Sequence, residues 1–259
     1  MKVSVNIPSY KRPKVETLKY LPFCQVWVDN KEYESYKDAN KGATIIACPE
    51  GIQGNVSRIR NYILDQEFAR GMDAVLIIDD DMQGVFLWQG TKTIPYHAER
   101  VEAEHFMGFV EKYSQLCADL GYKFWGCNCN QEPMSYRQTT PFSFTSFVGG
   151  PFQCFLNNPL RYDENLPLKE DYDMTLQQCN KYRGCLRLNF AFYRVKQSEQ
   201  AGGCATYRNR KREQEQFEAL QRKWGGGIVR RDISVRGKAI KTKVFDDYNP
   251  IIRIPIKGV

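Results

Sequence analysis

Three consecutive aspartates, Asp79-Asp80-Asp81, end the apolar run Ala74–Ile78. Adjacent carboxylates repel one another, and setting them at the end of a buried segment is costly unless something compensates. A divalent cation is the simplest compensation. Mg2+ and Mn2+ take oxygen ligands, commonly one or two carboxylates together with substrate phosphates. In an extended chain Asp79 and Asp81 face the same side, which suits an Asp-x-Asp clamp. In isolation the run also suits a helix N-cap or a solvated turn; the preceding Val75-Leu76-Ile77-Ile78 argues for the clamp.

Three further groups have side chains suited to chemistry. In Pro8-Ser9-Tyr10-Lys11-Arg12 the Ser9 hydroxyl can meet a base or ribose, Tyr10 can stack on a base, and Lys11 or Arg12 can meet phosphate. In Gly54–Asn61, Arg58 and Asn61 are three apart and so share a helix face, from which they can reach a diphosphate or brace the aspartates. Glu170-Asp171 groups carboxylates where a loop meets a helix, which suits a general base as well as a favourable helix N-terminus. No Gly-x-Gly-x-x-Gly or Walker lysine motif is present, which counts against a dinucleotide enzyme or a P-loop kinase.

These residues need a scaffold. Lys2–Ile7, Cys24–Val28, Ala43–Cys48 and Ala74–Ile78 read as strands, and the last has the continuous apolar character of a strand buried on both faces. Val15–Leu21 and Glu32–Ala39 read as helices between them. Asn55–Ala69 does too, with apolar residues at 56, 59, 63, 64 and 68. Strands alternating with helices predict an α/β fold on a mostly parallel, doubly wound sheet. In such a sheet ligands bind beyond the carboxyl ends of the strands, where Asp79–Asp81 fall. Further on, Ala98–Leu120 and Arg208–Trp224 read as helices and Leu168–Tyr182 turns helical. Phe124–Cys129, Phe142–Leu156 and Leu186–Val195 read as strands, the first two aromatic-rich.

Together these features resemble nucleotide-sugar glycosyltransferases of the GT-A fold, from Val3 to about Tyr182. The resemblance implies that Pro8, Ser9, Tyr10, Arg12 and Asp29 hold the nucleoside, and that Asp79-Asp80-Asp81 is the Asp-x-Asp motif with Asp81 as the direct metal ligand. It also implies Mn2+ or Mg2+ as cofactor, and Glu170-Asp171 as the pair that carries the base, Asp171. The opening Val-Asn-Ile-Pro-Ser-Tyr-Lys-Arg-Pro, the Arg-Asn helix and Ile-Ile-Asp-Asp-Asp-Met look like the TET-associated glycosyltransferases of bacteriophages. That narrower likeness implies a UDP-sugar donor and 5-hydroxymethylcytosine in double-stranded phage DNA as acceptor. One departure stands out. Many GT-A enzymes supply a late histidine to the metal, whereas His97 and His105 come too early. Glu199 or Gln200, in Ser198–Gly203, could stand in for it.

Charge points the same way. The chain has 259 residues and a net charge of +7, and Tyr207–Val259 carries 14 Lys and Arg against 6 Asp and Glu, so the excess is C-terminal. Arg208, Arg210, Lys211 and Arg212 would then contact DNA phosphates, unless they form only a solvated helix face. Phe142–Phe147 and Trp125 could line an acceptor site, or serve as ordinary core. No apolar run reaches membrane-spanning length and no signal peptide fits before the first strand, so a cytoplasmic protein is expected, in the host cell if phage-encoded. Nine cysteines without zinc spacing read as reduced, mostly buried thiols. No linker divides the chain. One domain is expected, with residues 1–90 for donor and metal, 91–206 for the acceptor, and a basic region over 207–259. The rivals are the same chemistry on a polysaccharide or protein, a nucleotidyltransferase, and a DNA-binding module without catalysis.

Overall fold

The computed structural model describes residues 1–90, 97–133, 136–196, 203–232 and 248–256. In chain order the first elements are β1 (Val3–Pro8), β2 (Gln25–Asp29), α1 (Tyr33–Ala39), β3 (Thr44–Cys48), α2 (Val56–Ala69), β4 (Ala74–Ile78), β5 (Met82–Gln89) and β6 (His97–Arg100). There follow α3 (Ala103–Asp119), β7 (Phe124–Asn128), β8 (Phe142–Ser143), β9 (Phe152–Leu156), α4 (Glu170–Tyr182), β10 (Leu186–Val195), α5 (Arg210–Trp224), β11 (Val229–Arg231) and β12 (Pro250–Ile252). The large sheet runs β3-β2-β1-β4-β9-β7-β10-β5-β6, with β8 added to β10; β11 and β12 form a separate ribbon. Pairing is parallel across β3-β2-β1-β4 and between β7 and β10. It is antiparallel at β4-β9, β9-β7, β10-β5 and β5-β6.

β4 is buried at all five positions. Its side chains alternate between the two faces, as strand geometry requires. Val75 and Ile77 pack with Ile59, Ile63 and Leu64 of α2 and Met174 and Cys179 of α4. Ala74, Leu76 and Ile78 pack on the other side with Phe106, Phe109 and Val110 of α3. Each large apolar side chain so buried contributes roughly 1.5–3 kcal/mol. The strand is thereby fixed in position and register, and so are the aspartates that leave its end. Continuing the alternation turns Asp79 towards α2 and Asp80 towards the first loop.

Several expected elements differ. Val15–Leu21 holds only a 3-10 turn, Glu16–Lys19. The helix expected over Ala98–Leu120 begins at Ala103. The segment before it pairs with β5 as a strand, because a free sheet edge outweighs the mild helix preference of Ala-Glu-Arg. Phe142–Leu156 is two strands separated by a loop, and β5 carries no clear alternation in sequence. Glu199 and Gln200 lie outside the described residues. All nine cysteines are free and seven are buried. Among the described residues, no helix is long and apolar enough to cross a membrane.

Candidate active site

A cavity of about 310 Å³ opens at the carboxyl edge of β1 and β4. The first loop forms one wall, α2 another, and the Gly203–Arg208 segment closes it. Gly203 N donates to Tyr10 O at 2.9 Å, which ties this late segment to the first loop. A 3-10 turn over Gly203–Thr206 carries Cys204 and Ala205 into the cavity wall.

The three aspartates are treated differently. Asp80 is spent within the protein, because it accepts from Ser9 Oγ and from the Arg12 guanidinium. Its backbone carbonyl accepts from Thr17 N at 3.1 Å. Thr17 Oγ1 donates to Asp79 O at 2.7 Å and accepts from Met82 N at 2.8 Å, which pins the turn. Asp79 and Asp81 line the cavity. Arg12 Nη1 is 3.8 Å from Asp81 Oδ2. Burial, with Asp79 and Asp80 close by, pushes the Asp81 carboxyl up to about 7.

Arg60 of α2 joins the two carboxylate motifs. Its Nη2 lies 3.0 Å from Asp79 Oδ1, its Nη1 3.1 Å from Glu170 Oε1, and Nη2 also donates to Gly150 O at 3.1 Å. The Arg60 side chain is only 3% exposed. A Cβ on Gly150 would come within 3.2 Å of Arg60 Nη1, so glycine there gives the guanidinium its room. Glu170 begins α4 with Asp171 beside it, and Asp171 accepts from Gly150 N at 3.1 Å and Tyr172 N at 2.8 Å. Burial, reinforced by Asp171, pushes Glu170 up to about 8. Burial also raises Asp171, against the pull of Gly150 N and Arg60.

Some expected site residues sit elsewhere. Arg58 pairs with Glu164 at 2.9 Å and donates to Gly51 O, pointing out of the cavity. Asn61 exchanges hydrogen bonds with the backbone of Tyr162. Both turn from the cavity because the face of α2 that meets the sheet carries Ile59, Arg60 and Ile63, not 58 and 61. Asp29 does not line the cavity; it caps the following turn by accepting from Lys31 N at 2.9 Å. Pro8, Ser9, Tyr10 and Arg12 do line it. So does Arg208, which is drawn to Glu213 at 2.9 Å instead of facing solvent with its neighbours. Glu213 also pairs with the buried Lys169, just ahead of Glu170, so α5 is tied to the carboxylate pair. Arg210, Lys211 and Arg212 are exposed at the start of α5. Trp125 is core, fully buried, with its indole N–H donating to Ser114 Oγ.

Among the described residues, no group of three or more His, Cys, Asp or Glu side chains stands ready to hold a metal ion. The donor set suits a cation that takes the rest of its shell from substrate. Of the three aspartates at the cavity, Asp80 is taken up by Ser9 and Arg12, which leaves Asp79 and Asp81 to offer, and Asp81 ionises poorly without added positive charge. Mg2+ and Mn2+ bind in that manner, through one or two carboxylates with phosphate and water.

A family model described as TET-Associated Glycosyltransferase matches residues 16–203. The match includes Asp79–Asp81 and Glu170-Asp171, and it excludes the opening loop before Glu16 and all of α5. No curated protein matches the chain. Among solved structures, A197 from STIV is 10% identical over 77% of this chain and 88% of its own, with a TM-score of 0.37. A cytidylyltransferase from Leptospira borgpetersenii is 13% identical over 71% and 74%, with a TM-score of 0.38. Glucosyl-3-phosphoglycerate synthase from Mycobacterium tuberculosis, solved with Mn2+, UDP and glucosyl-3-phosphoglycerate, is 10% identical over 98% and 87%, with a TM-score of 0.47.

Proposed function

The chain belongs to the TET-associated glycosyltransferase family, and from that premise we propose that it moves a sugar from a UDP-sugar to the hydroxyl of 5-hydroxymethylcytosine in double-stranded phage DNA, with Mn2+ or Mg2+. One observation supports this above the others: Arg60 holds Asp79 and Glu170 in one cavity, so a metal-type carboxylate and a base-type carboxylate pair flank the same space.

Asp79 and Asp81 would hold the metal, which offsets charge on the leaving diphosphate. Tyr10 and Ser9 line the nucleoside end, and Arg12 fixes Asp80 so that the aspartate turn keeps its shape. Arg208, inside the cavity and braced by Glu213, adds positive charge for the diphosphate. Asp171 takes the proton of the acceptor hydroxyl as its oxygen bonds to the anomeric carbon. The bond from that carbon to the diphosphate oxygen breaks, and its electron pair leaves with the nucleotide. Arg60 keeps Glu170 beside the base without leaving its charge uncompensated. The exposed Arg210, Lys211 and Arg212 would meet duplex phosphates.

The test is incubation of hydroxymethylated duplex DNA with a panel of nucleotide-sugars, with Mn2+ or with a chelator, read by nucleoside mass spectrometry. Metal-dependent glycosylated hydroxymethylcytidine is the expected product. Transfer to polysaccharide or protein but never to DNA would overturn the acceptor, and undiminished transfer under chelation would overturn the metal.

A further inference from the structure

Arg12 and Arg60 are each matched by carboxylates. Arg187 of β10 is not. Its Nε donates to Asn189 Oδ1 at 3.0 Å and its Nη1 lies 3.5 Å from Phe147 O, both neutral acceptors. Among the described residues it forms no ion pair. Burial lowers its pKa from the ordinary arginine value, partly offset by Cys129, Cys185 and Tyr193. An arginine keeps its proton even so. A half-buried cation without a counter-charge is costly, and an anionic ligand would relieve that cost.

Its neighbours lead to the base. Phe147 stacks on Tyr172, with ring centroids 4.1 Å apart and 13° between planes. Tyr172 N donates to Asp171 Oδ1 at 2.8 Å. Tyr193 reaches the same place: a Cβ on Gly149 would fall 2.3 Å from its hydroxyl, so only glycine fits beneath it. Arg187, Phe147 and Tyr172 do not line the donor cavity, whereas Asp171 does. Asp171 therefore stands between the donor cavity and a second group that combines a lone cation with a stacked ring pair. A planar base bearing a phosphate satisfies both features at once. A neutral glycan would leave the cation unmatched.

We propose that Arg187, with the Phe147–Tyr172 ring pair, is the acceptor nucleotide subsite, in which the guanidinium holds the phosphate flanking the modified nucleotide and the rings support its base. This rests on the reading of nucleic acid as the acceptor. The test compares 5-hydroxymethyl-2′-deoxycytidine with its 5′- and 3′-monophosphates as acceptors, using a UDP-sugar active on duplex DNA. The better monophosphate should have a KM at least roughly tenfold below that of the nucleoside, the size of one charge-assisted hydrogen bond. Arg187→Gln should erase that difference and Arg187→Lys should keep part of it, with Mn2+–UDP calorimetry confirming that each variant is folded. Equal KM values for nucleoside and monophosphates in the unaltered protein would overturn the subsite, as would an Arg187→Gln variant that keeps the preference. If duplex DNA is not modified with any nucleotide-sugar, the acceptor reading itself fails, and the subsite fails with it.

Discussion

Replacing Arg60 with methionine keeps the volume of the side chain and removes its charge. Glu170, 11% exposed, would lose its counter-ion, as would Asp79, which is 35% exposed. Breaking a buried pair from one side costs about 3–5 kcal/mol. Two features reduce that figure here. Asp79 reaches solvent, so its share is nearer the ~0.5–1 kcal/mol of a surface pair. Glu170, already pushed up to about 8, can take a proton and escape its charge. The unmatched Gly150 carbonyl adds about 1 kcal/mol. A net loss of about 3 kcal/mol follows. At roughly 2–4 °C per kcal/mol for a chain near this size, the melting temperature should fall by about 6–12 °C. Differential scanning calorimetry at pH 7 measures it. Repeated at about pH 9, above the Glu170 pKa of about 8, adding Glu170→Gln to Arg60→Met should recover about 1 kcal/mol or more, because the carboxylate stranded there by the first change is then gone. A fall below about 2 °C, or a double variant whose losses simply add, would refute the bridge.

Asp81→Ala should abolish Mn2+-dependent UDP binding in calorimetry; unchanged binding would remove Asp81 from the metal site. Asp171→Asn should lower kcat/KM by about 10²–10⁴-fold while leaving UDP binding intact, and normal turnover would eliminate it as the base. Changing Arg210, Lys211 and Arg212 to glutamate should weaken duplex DNA binding and flatten its dependence on log salt by up to about 3, near 0.9 for each lost phosphate contact. An unaltered slope would leave the start of α5 a solvated face. Glu170, with a folded pKa of about 8 against roughly 4.3 when unfolded, holds in the native state a proton that the unfolded chain releases. Its contribution to stability is therefore complete below about pH 4.5 and is lost as pH rises through about 8. Glu170→Gln should flatten urea-unfolding free energies across that window, and identical pH slopes would contradict the shift.

The first part of the fold, through β4, is legible because its signals are local. β4 is five apolar residues ended by charge, and the loop after β1 is punctuated by prolines. The part after β4 depends on pairings between distant segments. β6 looks helical by composition and is a strand because β5 lies beside it, while β9 runs antiparallel between β4 and β7 although nothing in its sequence sets its direction. Propensity decides such segments poorly when a sheet edge is waiting to be filled.

The same distinction explains the arginines. Arg58 and Asn61 have suitable types and spacing, but spacing says only that they share a face, not which face turns inward. The apolar residues Val56, Ile59, Ile63 and Leu64 do say it, and Arg60 lies within their stripe while Arg58 and Asn61 do not. An arginine on the inward face of a helix must find carboxylates or fail to fold. That constraint is present in the sequence, and the partners Arg60 finds belong to the two carboxylate motifs, Asp79 in one and Glu170 in the other. Arg208 and Arg187 yield to no such reading. Arg208 opens a run of exposed-looking cations and is turned inward by Glu213, five residues on. Arg187 sits in an alternating strand whose outward face is covered by a loop from forty residues earlier. Where a cation goes is fixed by the nearest carboxylate in space. Where no carboxylate arrives, as at Arg187, the charge is left for a ligand to meet.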